Sequence, residues 1–184
     1  MVAADPNDAR IRRSAAYGYR DLGDALAANS DRTKGRAYLE KALSIFAELA
    51  AKDPKNGVVT QQRVLTHLKM SRFFLDGNDA SLAVEHARRA IEVGEQSPAL
   101  QDAGGQSMLA QTHYQLGKAL QGGKRSVGKA AGCEREAHAS FQKSLDIWNE
   151  LSGKGKLTAA DVKRVEEVQA EIARCQATNA ASGE

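Results

Sequence analysis

Through most of the chain, apolar residues return every three or four positions, which is the spacing of one face of an α-helix. Tyr19, Leu22, Gly23 and Leu26 show the motif clearly: large residues three apart, a small residue directly after the second, then another large residue. On a helix these positions share a face, and the small residue lets a neighbouring helix approach closely. A second segment follows with Gly35, Leu39 and Ala42 at spacings of four and three, and Leu43, Phe46 and Leu49 continue its stripe. The two segments predict a helical hairpin.

The hairpin recurs. Asp5-Pro6-Asn7-Asp8 returns 48 positions later as Asp53-Pro54-Lys55-Asn56. The same shift carries Tyr19, Leu22, Gly23 and Leu26 onto His67, Met70, Ser71 and Phe74, and Gly35, Leu39 and Ala42 onto Ala83, Ala87 and Ala90. A third copy has His113, Leu116, Gly117 and Leu120 at a further shift of 46, then Ala137, Phe141 and Ser144 at a further shift of 54. The difference, 54 − 46 = 8, is an eight-residue insertion between its two helices. Glycines 122, 123, 128 and 132 predict an excursion from helix between Gln121 and Glu136. Gly94 stands where Phe46 and Trp148 stand in the other units, which predicts a glycine cap there and a new helix at Ser97-Pro98.

Thr158-x-x-Asp161 has the form of a capping box, and Val165, Val168 and Ile172 lie on one face of the helix it would open. One apolar side and one charged side suit the end of a stack. The expected architecture is all-α: a superhelix of three hairpins and a C-terminal capping helix. Its repeat domain covers 1–177, with units near 8–54, 55–97 and 98–153 and the cap at 158–176. Residues 178–184 lack apolar anchors and read as a disordered tail. Met1 to Pro6 aligns with Leu49 to Pro54, the close of a second helix, so the chain is expected to begin on the tail of a preceding repeat, as a piece of a longer protein.

Tyr19-x2-Leu22-Gly23-x2-Leu26 with Gly35-x3-Leu39-x2-Ala42 resembles the tetratricopeptide repeat (TPR) signature. His113-x2-Leu116-Gly117-x2-Leu120 with Ala137-x3-Phe141-x2-Ser144 resembles it as well, while the middle unit departs from it at Ser71 and Ala87. The period is about 48 rather than the common 34. This long variety, with KALSIFAELAAKDPKN closing a unit, resembles arrays attached to bacterial serine/threonine protein kinases. The resemblance implies a protein-binding array within a larger signalling protein. No kinase motif is present in the sequence.

Composition removes several other functions. A formal charge of +3 does not call for nucleic acid, and no apolar run approaches membrane-spanning length. Cys133 and Cys175 alone make no disulfide framework, which points to a reducing, cytoplasmic setting. Gly123 to Lys129 matches the G-x4-G-K core of a phosphate-binding loop, but Ala130 stands where a hydroxyl would meet magnesium. His67 and His113 share a repeat position with Tyr19 and read as packing residues, while Cys133 with His138 supplies at most two of the ligands zinc needs. The chain is read as a non-enzyme with no cofactor and no metal.

In tetratricopeptide arrays the first helices line a concave groove that takes peptides or partner helices. Carried onto this sequence, that groove would be lined by Arg20 and Asp24, Leu68 and Arg72, and Tyr114 and Lys118, with Tyr17, Leu65 and Gln111 one turn earlier. Arginine and tyrosine are favoured anchors at protein interfaces, and leucine adds apolar contact. Three cations against one anion suggest an acidic protein or peptide partner. The alternative reading is self-association, through the groove or through an N-terminal flank bearing Ile11, Ala15 and Leu39.

Overall fold

The computed structural model describes residues 8–28, 31–125 and 135–181. Seven α-helices lie among them: α1 Ala9–Ala28, α2 Arg32–Lys52, α3 Gly57–Asp76, α4 Ala80–Glu95, α5 Ala103–Arg125, α6 Arg135–Gly153 and α7 Ala159–Ala181. A 3-10 turn, Pro98–Leu100, precedes α5.

Acidic and amide side chains mark the helix starts, as unpaired N–H groups at a helix N-terminus require. Asp31 accepts from the Lys34 N–H at 3.2 Å, Asn56 from Val59 at 3.2 Å, Asp79 from Leu82 at 3.0 Å, and Asp102 from Gly105 at 2.7 Å. The capping box of α7 forms as expected: the Thr158 N–H and hydroxyl donate to Asp161, at 3.0 and 2.7 Å, and the Asp161 N–H donates back to Thr158 Oγ1 at 3.2 Å.

The helices pair as α1/α2, α3/α4 and α5/α6, and each second helix packs on the first helix of the next hairpin. The first helices also touch in succession, α1 with α3 and α3 with α5, whereas the backbones of α2, α4 and α6 stay apart from one another, α4 and α6 being bridged by the Arg88–Glu136 ion pair. Helix α7 packs on α6 and α5, in the place of a fourth first helix. This is the all-α, TPR-like superhelix of stacked hairpins.

The small residues of the motif work as spacers. A Cβ on Gly23 would lie 2.9 Å from the Gly35 carbonyl oxygen and from Leu39, so α1 and α2 meet there backbone to backbone. In the middle hairpin the equivalent Ser71 donates its hydroxyl to the Ala83 carbonyl at 2.7 Å instead. Leu39, Phe46, Phe141 and Trp148 are fully buried between the layers. Leu22, however, is 44% exposed, while its counterparts Met70 and Leu116 are buried. That position packs against the preceding hairpin's second helix, and the described residues hold no helix on that side of α1.

Several local expectations need correction. Helix α5 does not stop at Gln121 but runs through Gly122 and Gly123 to Arg125. A Cβ on Gly122 would fall 2.5 Å from Leu75 Cδ1, so this glycine admits the end of α3, and that packing outweighs its helix penalty of about 1 kcal/mol. The rest of the expected excursion, 126–134, lies outside the described residues. Gly94 is no left-handed cap: it sits inside α4, buried, with a Cβ position only 2.6 Å from Leu109 Cδ2. Pro98 starts the 3-10 turn rather than α5. Helix α7 continues to Ala181, into the segment read as a tail, and 182–184 lie outside the described residues. Cys175 is buried and disulfide-bonded, contrary to the expectation from cysteine count, while Cys133 lies outside the described residues.

Candidate protein-binding groove

The successive contacts of α1, α3 and α5 set their faces side by side, and the nine groove candidates fall on these three helices. Most of their charges are already engaged across the helices. Arg20 lies 5.5 Å from the Tyr17 ring, pairs with Asp21 at 2.9 Å, and reaches α3 to donate to Gln62. Asp24 accepts from Lys69, a second tie between α1 and α3. Lys118 pairs at 3.1 Å with the buried Glu171 of α7, which also holds Arg174 at 3.0 Å. Arg72 is exposed and makes no ion pair among the described residues.

The uncharged candidates divide by burial. Leu68 is buried and unavailable for broad contact, whereas Leu65, Tyr17, Gln111 and Tyr114 are half-buried. Tyr17 leans on Phe46, ring centroids 5.7 Å apart, and Tyr114 leans on Phe141 at 5.9 Å. Burial raises the Tyr114 phenol above its ordinary pKa, and the carboxylates of Glu167 and Glu171 add to the rise. Gln111 donates to Ser107 at 3.5 Å. Half-buried amphiphilic rings braced by such packing suit an interface anchor. Leu65, Tyr114, Tyr17 and Arg72, whose guanidinium has no ion pair among the described residues, remain accessible on this face within a frame of internal ion pairs. The cationic surplus read from the sequence narrows to Arg72.

The inter-helix partners Gln62, Lys69 and Glu171 were not singled out by sequence reasoning, because nothing local marks a charge as paired across a stack. One more such tie fastens α7. Asp161 is buried; desolvation pushes its pKa up, but hydrogen bonds from Ser107 at 2.6 Å and from Thr158 outweigh this and hold it below the ordinary value. Ser107, Tyr114, Lys118 and Gln121 mark the α5 face that α7 approaches, with Gln121 donating to Cys175 Sγ at 3.4 Å.

His67 and His113 are buried, as packing residues would be. His67 Nδ1 lies 3.0 Å from His86 Nδ1, and the His86 ring stacks on Phe74 at 5.3 Å. Of the G-x4-G-K segment, Gly123 to Arg125 belong to α5 and the remainder lies outside the described residues. The same holds for Cys133 beside the half-buried His138. No helix among the described residues is long and apolar enough to cross a membrane.

No family model and no curated protein matches the chain. Among solved structures it is similar to the N-terminal domain of stress-induced protein-1 (STI-1) from C. elegans. The likeness has a TM-score of 0.50 at 20% identity and covers 86% of this chain and 97% of that one. At that identity the likeness concerns the fold, and it agrees with the stacked helical hairpins: the chain folds as a TPR-like superhelix.

Proposed function

We propose that this protein is a non-enzymatic scaffold that binds a protein or peptide along the face formed by α1, α3 and α5. The carrying observation is the run of half-exposed Tyr17, Leu65 and Tyr114 on adjoining helices, with the unpaired Arg72 among them. An extended or helical segment with an acidic residue beside one or two apolar anchors complements that surface. The further step, to an array within a larger signalling protein such as a bacterial protein kinase, rests on the sequence alone, and the disulfide at Cys175 removes the reason the cysteine count gave for a cytoplasmic setting.

Pull-downs from native cell extract with wild type, Arg72→Glu and a Tyr114→Ala/Arg72→Glu pair test the groove. Tyr114 packs on Phe141, so circular dichroism must show that the double variant folds. Arg72 makes no ion pair among the described residues and is exposed, so its charge reversal is expected to leave the fold intact. Partners lost in step with the substitutions support the groove, and partners kept in full by a folded double variant rule it out.

A second reading is self-association. Of the flank expected from the sequence, Ile11 is 41% exposed and Ala15 exposed, but Leu39 is fully buried between α1 and its neighbours; Leu22, 44% exposed, takes its place on the open side of α1. Light scattering of wild type and Leu22→Glu distinguishes the two. A dimer that Leu22→Glu converts to monomer favours this reading, and a monomer in both cases leaves the groove.

A further inference from the structure

The side opposite the proposed groove carries a second feature. Because the backbones of α4 and α6 stay apart, with the Arg88–Glu136 ion pair reaching across, an open cleft of about 510 Å³ lies between them, floored by His113 and Leu116 of α5 and walled by Ile91 and Ala139. His113 is only 8% exposed, yet its Nε2 has no hydrogen-bond partner. Glu95 Oε1 lies 3.6 Å from it, beyond hydrogen-bond reach. A buried ring nitrogen without a partner carries a desolvation cost, so a donor that satisfies it would be held.

The preceding hairpin shows what is missing. There His67 occupies the position of His113, and His86 of α4 fills the adjoining space with its ring nitrogen 3.0 Å away. The repeat equivalent of His86 in α6 is Ser140, whose hydroxyl turns back to the Glu136 carbonyl at 2.8 Å. The exchange of an imidazole for a hydroxymethyl group opens the cleft and removes the partner. Of the three carboxylates in its wall, Glu136 is paired with Arg88 at 2.6 Å and Glu92 with Arg89 at 2.5 Å. Glu95 has only the distant imidazole.

We propose that this cleft takes a lysine or arginine side chain of a partner polypeptide, its N–H groups donating to Glu95 and His113 and its alkyl stem lying on Leu116 and Ile91. Long basic side chains combine such a stem with a charged head, and the volume suits one residue and its neighbours. Burial holds His113 below its ordinary pKa, so at neutral pH the ring is uncharged and free to accept. Lys143, also in the wall, is the one cation without an ion pair among the described lining residues, and it is exposed enough to turn outward. The proposal does not rest on the groove of α1, α3 and α5.

The test uses NMR of the full chain with labelled histidine and blocked tripeptides, acetyl-Ala-Lys-Ala-amide against acetyl-Ala-Gln-Ala-amide, with pentylamine as a third probe. The expected result is a saturable shift of the His113 ring with the lysine peptide. The shift should weaken at least tenfold with the glutamine peptide and in Glu95→Gln, vanish in Ser140→His, and persist in Arg72→Glu. Should Ser140→His fail to fold, the surface change Glu95→Gln carries the test. No saturable shift at His113, equal shifts with both peptides, or no effect of Glu95→Gln would overturn the proposal. Binding of pentylamine without the lysine peptide would also overturn it, because the cleft would then take free amines only.

Discussion

Lowering the pH should destabilise this fold well before its carboxylates protonate. His67 is packed between α3 and α4 with Arg63, Arg89 and the His86 ring around it. Burial first, then the neighbouring His86, lowers its pKa from 6.5 to about 3. A basic group so depressed binds its proton more readily in the unfolded chain. Its contribution is therefore complete above the unfolded pKa of 6.5 and is lost as the pH falls from there towards about 3. At pH 5 the loss from His67 alone is about 2 kcal/mol, from ~1.4 kcal/mol for each of about 1.5 pH units. His86 and His113 are also lowered, mainly by burial, and act in the same direction. Carboxylates held below their ordinary values, such as Asp161, act only at lower pH, because their contribution is complete above about 4 and is lost as the pH falls further. The window from pH 7.5 to 5 therefore isolates the histidines. Urea unfolding across that window should show stability falling by at least 2 kcal/mol, and His67→Gln, which keeps a hydrogen-bonding group near His86, should flatten the slope. Constant stability down to pH 5, or an unchanged slope in His67→Gln, would refute the assignment.

Glycine substitutions should separate spacers from bystanders. A Cβ on Gly117 would lie 2.6 Å from Phe141 Cδ1, so Gly117→Ala should cost about 1–3 kcal/mol in thermal unfolding, with part recovered by adding Phe141→Leu. Gly18 has nothing within 4 Å of its Cβ position, so Gly18→Ala should stabilise by about 0.5–1 kcal/mol. Asp161→Ala removes the cap of α7 and the tie to Ser107, and should cost about 2 kcal/mol, with amide exchange rising first in α7.

The repeat was legible because its spacing has a purely geometric cause. Gly23 beside Leu22 and Leu26 predicts a close helix crossing, and Gly23 and Gly35 do meet backbone to backbone. What escaped was set by residues far apart in the chain. Gly94 reads equally well as a helix stop or as room for a neighbour, and only the arrival of Leu109 from the next hairpin decides between them. Gly122 is accommodated in helix because Leu75, distant in sequence, needs the space. At the groove, the rows of Tyr17, Leu65 and Gln111, and of Arg20, Leu68 and Tyr114, could be placed on the first helices. Whether their charges were free could not, since Lys69 and Glu171 carry no local mark of pairing. The open cleft beside His113 did have a sequence signal: Ser140 in the place of His86.

The central claim is that a polypeptide partner lies along α1, α3 and α5. Site-specific photo-crosslinking in native extract tests it most directly, with a benzophenone side chain at Arg72 and, as a control, at Ala47, which is exposed on α2. A discrete crosslinked protein at position 72, absent at 47 and competed by unmodified wild-type chain, is the expected result. No crosslink at 72, or the same species from both positions, would contradict the claim.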